Sequence, residues 1–118
     1  SPDNDHRFMA SIGINANGDI GLAYNVSSNS TYPSLRFTGR RECDPLGKMT
    51  LPEATLVAGG GSNYSNRYGD YNTLVVDGGN EQDFWFTGMY NPTNSWNTHI
   101  GSFDVGSCNV EVVFTHVK

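Results

Sequence analysis

Charge is what this sequence has least of. Asp, Glu, Lys and Arg make up 16% of its 118 residues, against about 25% in an average soluble domain. Seven basic residues face twelve acidic ones, for a net charge of −5. That balance argues against nucleic acid, which is held by clustered Lys and Arg. No run of about 18 apolar residues occurs, so the chain encodes no helix that would span a membrane. Apolar stripes at helical spacing are missing too, because Gly and Pro interrupt the chain too often. The three histidines, His6, His99 and His116, are scattered and make no zinc motif. Cysteine is limited to Cys43 and Cys108, at a spacing that fits no metal motif. In an oxidising compartment the two can close a loop of about 65 residues, worth roughly 4 kcal/mol. The other reading is a pair of buried free thiols.

Gly, Ser, Thr and Asn fill the gap that charge leaves. Such a composition is typical of secreted β-proteins, whose tight turns need Gly and Asn, and it points to a secreted or cell-surface location. Residues 1–5 do not read as a signal peptide and fit a mature or trimmed end. Three sequons begin at Asn25, Asn29 and Asn63; they matter only in a eukaryotic secretory pathway. The length is one domain's worth at most.

Strand signals are better than helix signals. Residues 11–15 alternate Ile12 and Ile14 with small or polar neighbours, and Asn17-Gly18 follows as a hairpin turn. Residues 20–26 make a second strand, 25–31 a polar loop, 33–38 a third strand and 53–58 a fourth, with an irregular 40–51 segment before it. The second half runs in the same order: strands at 71–77, 83–90, 96–103 and 110–117, with Gly78-Gly79-Asn80 as the first turn.

The two halves also open alike. His6-Arg7-Phe8 leads into the first strand and Asn66-Arg67-Tyr68 into the second set, about 60 residues later. Each pairs a polar residue with Arg and an aromatic, then enters a β-rich stretch that ends at Asn or Asp. The expectation is all-β: two antiparallel four-stranded meanders, residues 1–61 and 62–118, shaped like two blades of a β-propeller. Two blades leave two apolar flanks, so the expected partners are other polypeptide chains or the rest of a propeller. The rival architecture is an eight-stranded sandwich.

The stretch from Met9 to Tyr24, with its strand, Asn-Gly turn and strand, resembles the blade openings of secreted sialidase-like (BNR-type) repeat propellers. Asn66-Arg67-Tyr68-Gly69-Asp70-Tyr71, then Asp77 and Phe84-Trp85-Phe86, looks like the R-[WY]-G-D-Y blade of large secreted proteins of the same kind. Trp96 to Phe103 is similar to that blade's closing strand. The likeness runs from His6 to about Phe103. The sialidase Asp-box, S-x-D-x-G-x-T-W, is not intact, since Asn15-Ala16-Asn17-Gly18-Asp19 has the turn but no Trp. That departure weakens any implication of sialidase catalysis.

Arg67, Asp70 and Tyr71 are the sharpest constellation. Gly69 permits a bend that sets Asp70 and Tyr71 at a strand entrance. Arg67 is suited to pairing with Asp70 or to holding a carboxylate or sugar hydroxyls. Arg7 takes the equivalent place in the first half, and two guanidinium groups at one end would form an anion-binding rim. Arg36 falls on a third strand, away from it. Tyr64, Tyr68, Tyr90 and Trp96, in or beside loops, offer flat rings for sugar faces or for packing between blades. Glycoside hydrolysis needs two flanking carboxyl groups, or a tyrosine nucleophile; Asp70, Glu53, Asp77 and Tyr71 are candidates whose spacing pairs none of them. Asn15, Asn17, Asp19 and Asp77, Asn80, Asp83 are oxygen-rich turns that can hold Ca2+, though Asn and Asp stabilise turns unaided.

The sequence therefore reads as an extracellular, non-catalytic, cofactor-free module, part of a sialidase-like β-propeller, that binds glycan or protein or assembles with other chains. Its candidate ligand-binding residues are Arg7, Arg67, Asp70, Tyr71 and Tyr68. Two other readings stand beside it: a fragment or subunit of a sialidase-like glycoside hydrolase, and a structural repeat of an extracellular polymer or adhesin.

Overall fold

Turn chemistry fixes where the first strands stop and start. The computed structural model describes residues 2–64, 67–106 and 108. Asn15 ends the first strand because its Oδ1 accepts the N–H groups of Asn17 and Asp19, each at 3.0 Å. Gly18 supplies the φ of 86° that the reversal needs. On either side lie β1 (His6–Ile14) and β2 (Ile20–Ser28). A reversal at 29–30 leads to β3 (Thr31–Arg40), and β4 (Ala54–Val57) follows the 41–53 segment. These strands form an antiparallel sheet in the order β1-β2-β3-β4. A second antiparallel sheet holds β5 (Thr73–Val76), β6 (Phe84–Tyr90) and β7 (Asn97–Phe103), also in chain order. The fold is all-β and antiparallel, as the sequence suggests. The expected 110–117 strand, His116, Asn66 of the second opening motif and Ser65 of the third sequon lie outside the described residues.

Several boundaries differ from the expectation, β3 running from Thr31 to Arg40 rather than over 33–38 among them, and three have a clear physical reason. β1 begins at His6 rather than Ser11. A bulge between Phe8 and Ser11 breaks the alternation, and Met9 takes a φ of 52° there, so the period-two pattern is unreadable ahead of it. The expected polar loop over 25–31 is mostly paired strand, because Asn25 is fully buried and hydrogen-bonded. That burial also removes Asn25 as a glycosylation acceptor. β5 begins at Thr73 rather than Tyr71, since Gly69, at φ 72°, closes a turn in which Asn72 N–H donates to the Gly69 carbonyl at 3.2 Å.

The sheets pack face to face. Phe84 and Phe86 are wholly buried between them, each large apolar side chain contributing about 1.5–3 kcal/mol by burial. Glycines in the first sheet make room for them. A Cβ on Gly21 would come within 2.9 Å of the Phe84 ring, and one on Gly13 within 2.6 Å of Leu74 Cδ2. Phe103 stacks on Phe37 at 4.1 Å and on Phe84 at 5.4 Å between ring centroids. Ala23 and Leu35 complete this core.

The two sheets stack with β1 on β5 and with β6 over both β2 and β3. The hairpin turns that follow β1 and β5 also touch: Ala16 N–H donates to the Glu81 carbonyl and Asn15 Nδ2 to the Gln82 carbonyl, both at 3.0 Å. Beside those turns Ile14 pairs with Ile20 in the first sheet and Val76 with Phe84 in the second, closing turns over 15–19 and 77–83. The outward faces stay apolar in part. Ile12 and Ile14 are 63% and 62% exposed on one, and Val75, Trp85 and Ile100 are 53%, 40% and 64% exposed on the other.

Cys43 and Cys108 form a disulfide, with Cα atoms 6.1 Å apart. It ties the 41–53 segment to the chain beyond β7, and the free-thiol reading drops out.

Removing the central ring should expose how much rests on it. Phe84→Ala is expected to destabilise the fold by about 3–5 kcal/mol, and Gly21→Val by about 1–3 kcal/mol through overpacking. Urea denaturation monitored by near-ultraviolet circular dichroism reads both. A Phe84→Ala loss below about 1 kcal/mol would contradict this account of the core.

Candidate functional site

The loop between β4 and β5 carries most of the sequence-predicted site, and two buried asparagines fix it in place. Asn91, 1% exposed, accepts a hydrogen bond from the Tyr68 hydroxyl at 2.5 Å and donates from Nδ2 to the Ser62 carbonyl at 2.8 Å. Its own carbonyl accepts the N–H groups of Gly60 and Gly61, at 2.6 and 3.1 Å. Asn25, with no exposed surface, donates to the Met89 carbonyl at 2.7 Å and accepts from Asn72 Nδ2 at 2.5 Å. Asn72 also donates to the Met9 carbonyl at 3.2 Å. Both ends of the loop are thus tied to both sheets. Little room is left at Gly69, where a Cβ would fall 2.3 Å from Asn25 Oδ1.

On this base Arg67 and Asp70 form an ion pair, with Arg67 Nε 2.7 Å from Asp70 Oδ2 and a second contact from Nη2. The Arg67 side chain is 81% exposed. Tyr71 beside it is 90% exposed, and Tyr64, earlier in the same loop, is 79% exposed. Tyr68 behaves differently from the expectation of an open ring. It is 8% exposed, packed edge-on against Phe8 at 6.5 Å, and burial pushes its hydroxyl pKa up. The Phe8–Tyr68 contact brings the two opening motifs together, aromatic to aromatic. Tyr90 is half-buried, its ring edge-on to His99, while Trp96 is 59% exposed.

Arg7 is committed elsewhere. Its guanidinium holds Glu53 in a bidentate pair, Nε to Oε2 at 2.8 Å and Nη2 to Oε1 at 3.0 Å, and reaches Asp3 at 2.8 Å. Arg36, expected to stand apart, joins the same carboxylate at 3.0 Å and lies 3.5 Å from Asp5. The Tyr24 hydroxyl donates to Glu53 from the adjacent strand. Register explains the cluster. Tyr24 sits opposite Arg36, so both side chains leave the sheet on the face away from the second sheet. Glu53, just ahead of β4, closes the row. Hydrogen bonds from Arg7 hold the Glu53 carboxyl far down, at about 2, and burial, reinforced by the neighbouring Glu53 charge, pushes Tyr24 up. Only proximity in the fold makes this hub visible: its members come from four separate stretches of chain.

The candidate hydrolytic groups are not brought into a working pair. Glu53, ionised and shared between two arginines, is a poor proton donor. Asp70 is engaged by Arg67. Asp77 accepts the Trp85 indole N–H at 3.0 Å and the Gly79 N–H at 2.6 Å, and the indole contact leads in lowering its pKa. The turn oxygens proposed for Ca2+ are likewise occupied by their own chain. Asp19, 3% exposed, accepts the Glu42 N–H at 2.9 Å, and Asn80 bonds Asp83 at 3.0 Å. Among the described residues no group of three or more His, Cys, Asp or Glu side chains is set to hold a metal.

The depressed Glu53 pKa has a definite sign for stability. A carboxylate whose folded value lies below its ordinary 4.5 contributes fully above that ordinary value, and the contribution is lost as pH falls through about 2. Stability should therefore decline between about pH 4.5 and pH 2, with Asp3 and Asp44, both also near 2, adding in the same direction. Glu53→Gln is expected to lower stability at pH 7 and make that decline shallower; an unchanged slope in denaturation at stepped pH would sink the assignment. No protein-family model, curated protein or solved structure matches this chain.

Proposed function

We propose that this chain is an extracellular, non-catalytic two-blade segment of a sialidase-like β-propeller, and that it presents a glycan-binding rim at Arg67, Asp70 and Tyr71. The observation that carries the reading is the stacking of β1 on β5 and of β6 over β2 and β3, with the first hairpin turns of the two sheets side by side. The sense of the stacking matters. Counting outward from the turns, Ile12 and Ile14 correspond to Leu74 and Val76. The first pair faces outward, 63% and 62% exposed, while Leu74 is 7% exposed and faces inward. Corresponding residues thus point the same way round, which is how successive blades of a ring are related. A closed sandwich would instead turn both apolar faces toward each other and leave the outer faces polar.

The rim rests on a loop held by Asn25 and Asn91, so its exposed groups are pre-positioned and lose little freedom on binding. Tyr71 and Tyr64 offer flat rings for sugar faces. The Arg67–Asp70 pair offers both donors and acceptors for hydroxyl groups. Tyr68 serves as the anchor beneath, and Arg7 serves the framework through Glu53. The disulfide fits an oxidising compartment.

A glycan panel, including sialylated members, tests this directly. Wild type should bind a subset, and Tyr71→Ala and Arg67→Ala should each weaken that binding about tenfold, one aromatic or charge-assisted contact being worth roughly 1–1.5 kcal/mol. Binding that survives both substitutions removes the rim, binding to no glycan removes the ligand class, and turnover of a fluorogenic sialoside removes the non-catalytic part.

A further inference from the structure

The contact between the two sheets joins unlike surfaces: the face of the first sheet that carries Gly13 and Gly21 meets the face of the second that carries Leu74 and Phe84. Such a heterologous contact is not used up by one occurrence. Repeating its operator places a new sheet on each free face and ends in a closed ring or an open filament. Among the described residues each sheet leaves one face uncovered, and the two faces are of opposite type. The first sheet exposes the face that corresponds to the Leu74 side, through Ile12 and Ile14, and the second exposes the face that corresponds to the Gly13 side, through Val75, Trp85 and Ile100.

Position by position, the free faces match in bulk. Inside the chain, Leu74 lies over Gly13 and Phe84 over Gly21. Counted from the pair beside each turn, Ile12 and Ile20 are the counterparts of Leu74 and Phe84, and Val75 and Trp85 the counterparts of Gly13 and Gly21. The outer pairs are then Ile12 with Val75 and Ile20 with Trp85. Bulk has moved from one side of the contact to the other: a large ring on a glycine inside becomes a β-branched side chain on an indole outside. Ile100 falls where Phe37 lies in the first sheet, and Arg40 where Phe103 lies in the second, so the third strands set an apolar residue against Arg40, whose guanidinium is turned to the Asp44 and Pro45 carbonyls. Both surfaces have apolar content well suited to burial and no matching cover within the described residues.

Resting on the blade reading above, we infer that a second copy of this chain covers them: the outer face of the first sheet in one chain receives the outer face of the second sheet in the next, head to tail. With four to eight blades in a ring, two, three or four copies close it.

Sedimentation velocity over a range of concentrations, with Ile12→Glu and Trp85→Glu variants, tests the assignment. Both residues are exposed, and near-ultraviolet circular dichroism checks that each variant folds. Wild type should sediment as a multiple of the 12.9 kDa chain. Each variant alone should be a single chain, because each has lost one half of the contact. An equimolar mixture should form a one-to-one pair, since the intact face of one variant fits the intact face of the other. A monomeric wild type overturns the inference, as does a variant that still self-associates, or a mixture that does not pair. The stacking itself is read separately, by a short thiol cross-link between Ala16→Cys and Glu81→Cys within one chain. A cross-linked chain that remains single sinks only the second-copy assignment; a chain that cannot be cross-linked sinks the blade reading beneath it.

Discussion

Everything in this structure depends on two phenylalanine rings having somewhere to go. Phe84 and Phe86 fill the space between the sheets completely, and they can do so because Gly13, Gly21 and Ala23 leave the facing surface low. Sheets normally pack about 10 Å apart, side chains interdigitating from both faces. Here bulk on one sheet meets glycine on the other in both directions: Phe84 and Leu74 lie over Gly21 and Gly13, and Leu35 and Leu56 over Gly88 and Gly101. The glycines weaken their strands, by loss of side-chain packing and by backbone entropy, yet the loss is offset where each admits part of an aromatic ring. One consequence is positional precision: large rings on a glycine floor admit few registers, and the pairing of Ile14 with Ile20 and of Val76 with Phe84 follows.

Two polar junctions then do what the aromatic core cannot. Burying an amide costs free energy unless every donor and acceptor is matched. Asn25 and Asn91 are both buried, and both bridge the sheets or the loop between them through donors and acceptors alike. A displaced loop would strand several of these groups, so the loop that carries Arg67, Asp70 and Tyr71 has one position. The exposed end of the loop is built on its buried end. Tyr68, one residue from Arg67, is part of that foundation rather than of the surface.

Much of the fold was legible, and the reasons for the gaps are local. The Asn17-Gly18 turn, the alternation of Ile12 with Ile14 and the Phe84-Trp85-Phe86 run each state a strand or turn in residues a few places apart, and each was placed closely. The five residues of β1 ahead of Ser11 were hidden by a bulge at Met9, which resets the alternation. The end of β2 was hidden by composition, since Asn25 reads as loop until its carbonyl partners at Ser34 and Met89 are known. The Arg67–Asp70 pair was visible because its partners are three residues apart. The Glu53 hub was not, because Arg7 and Arg36 reach it from strands 46 and 17 residues away in the chain, and only the register of the sheet brings them to one place.

That hub also explains how so few charges are used. Arg7, Arg36, Glu53, Asp3 and Asp5 gather at one end of the outer face of the first sheet, where they satisfy one another. The rest of that face, toward the turn at Asn17-Gly18, carries Ile12, Ile14, Ile20 and Leu22, with Arg40 buried opposite Ile20. A surface meant only for water would spread its charged residues, since isolated surface pairs contribute little to stability and a mixed surface resists association. Concentrating them leaves an apolar area flanked by a fixed ionic edge. On the second sheet the outer face is similarly divided, with Asp77 drawn to the Trp85 indole at the turn end and Val75, Thr87 and Ile100 beyond it. The scarcity of charge and the apolar flanks are then one property of the chain, and the same residues that fix the first sheet's outer edge also delimit the area available for contact.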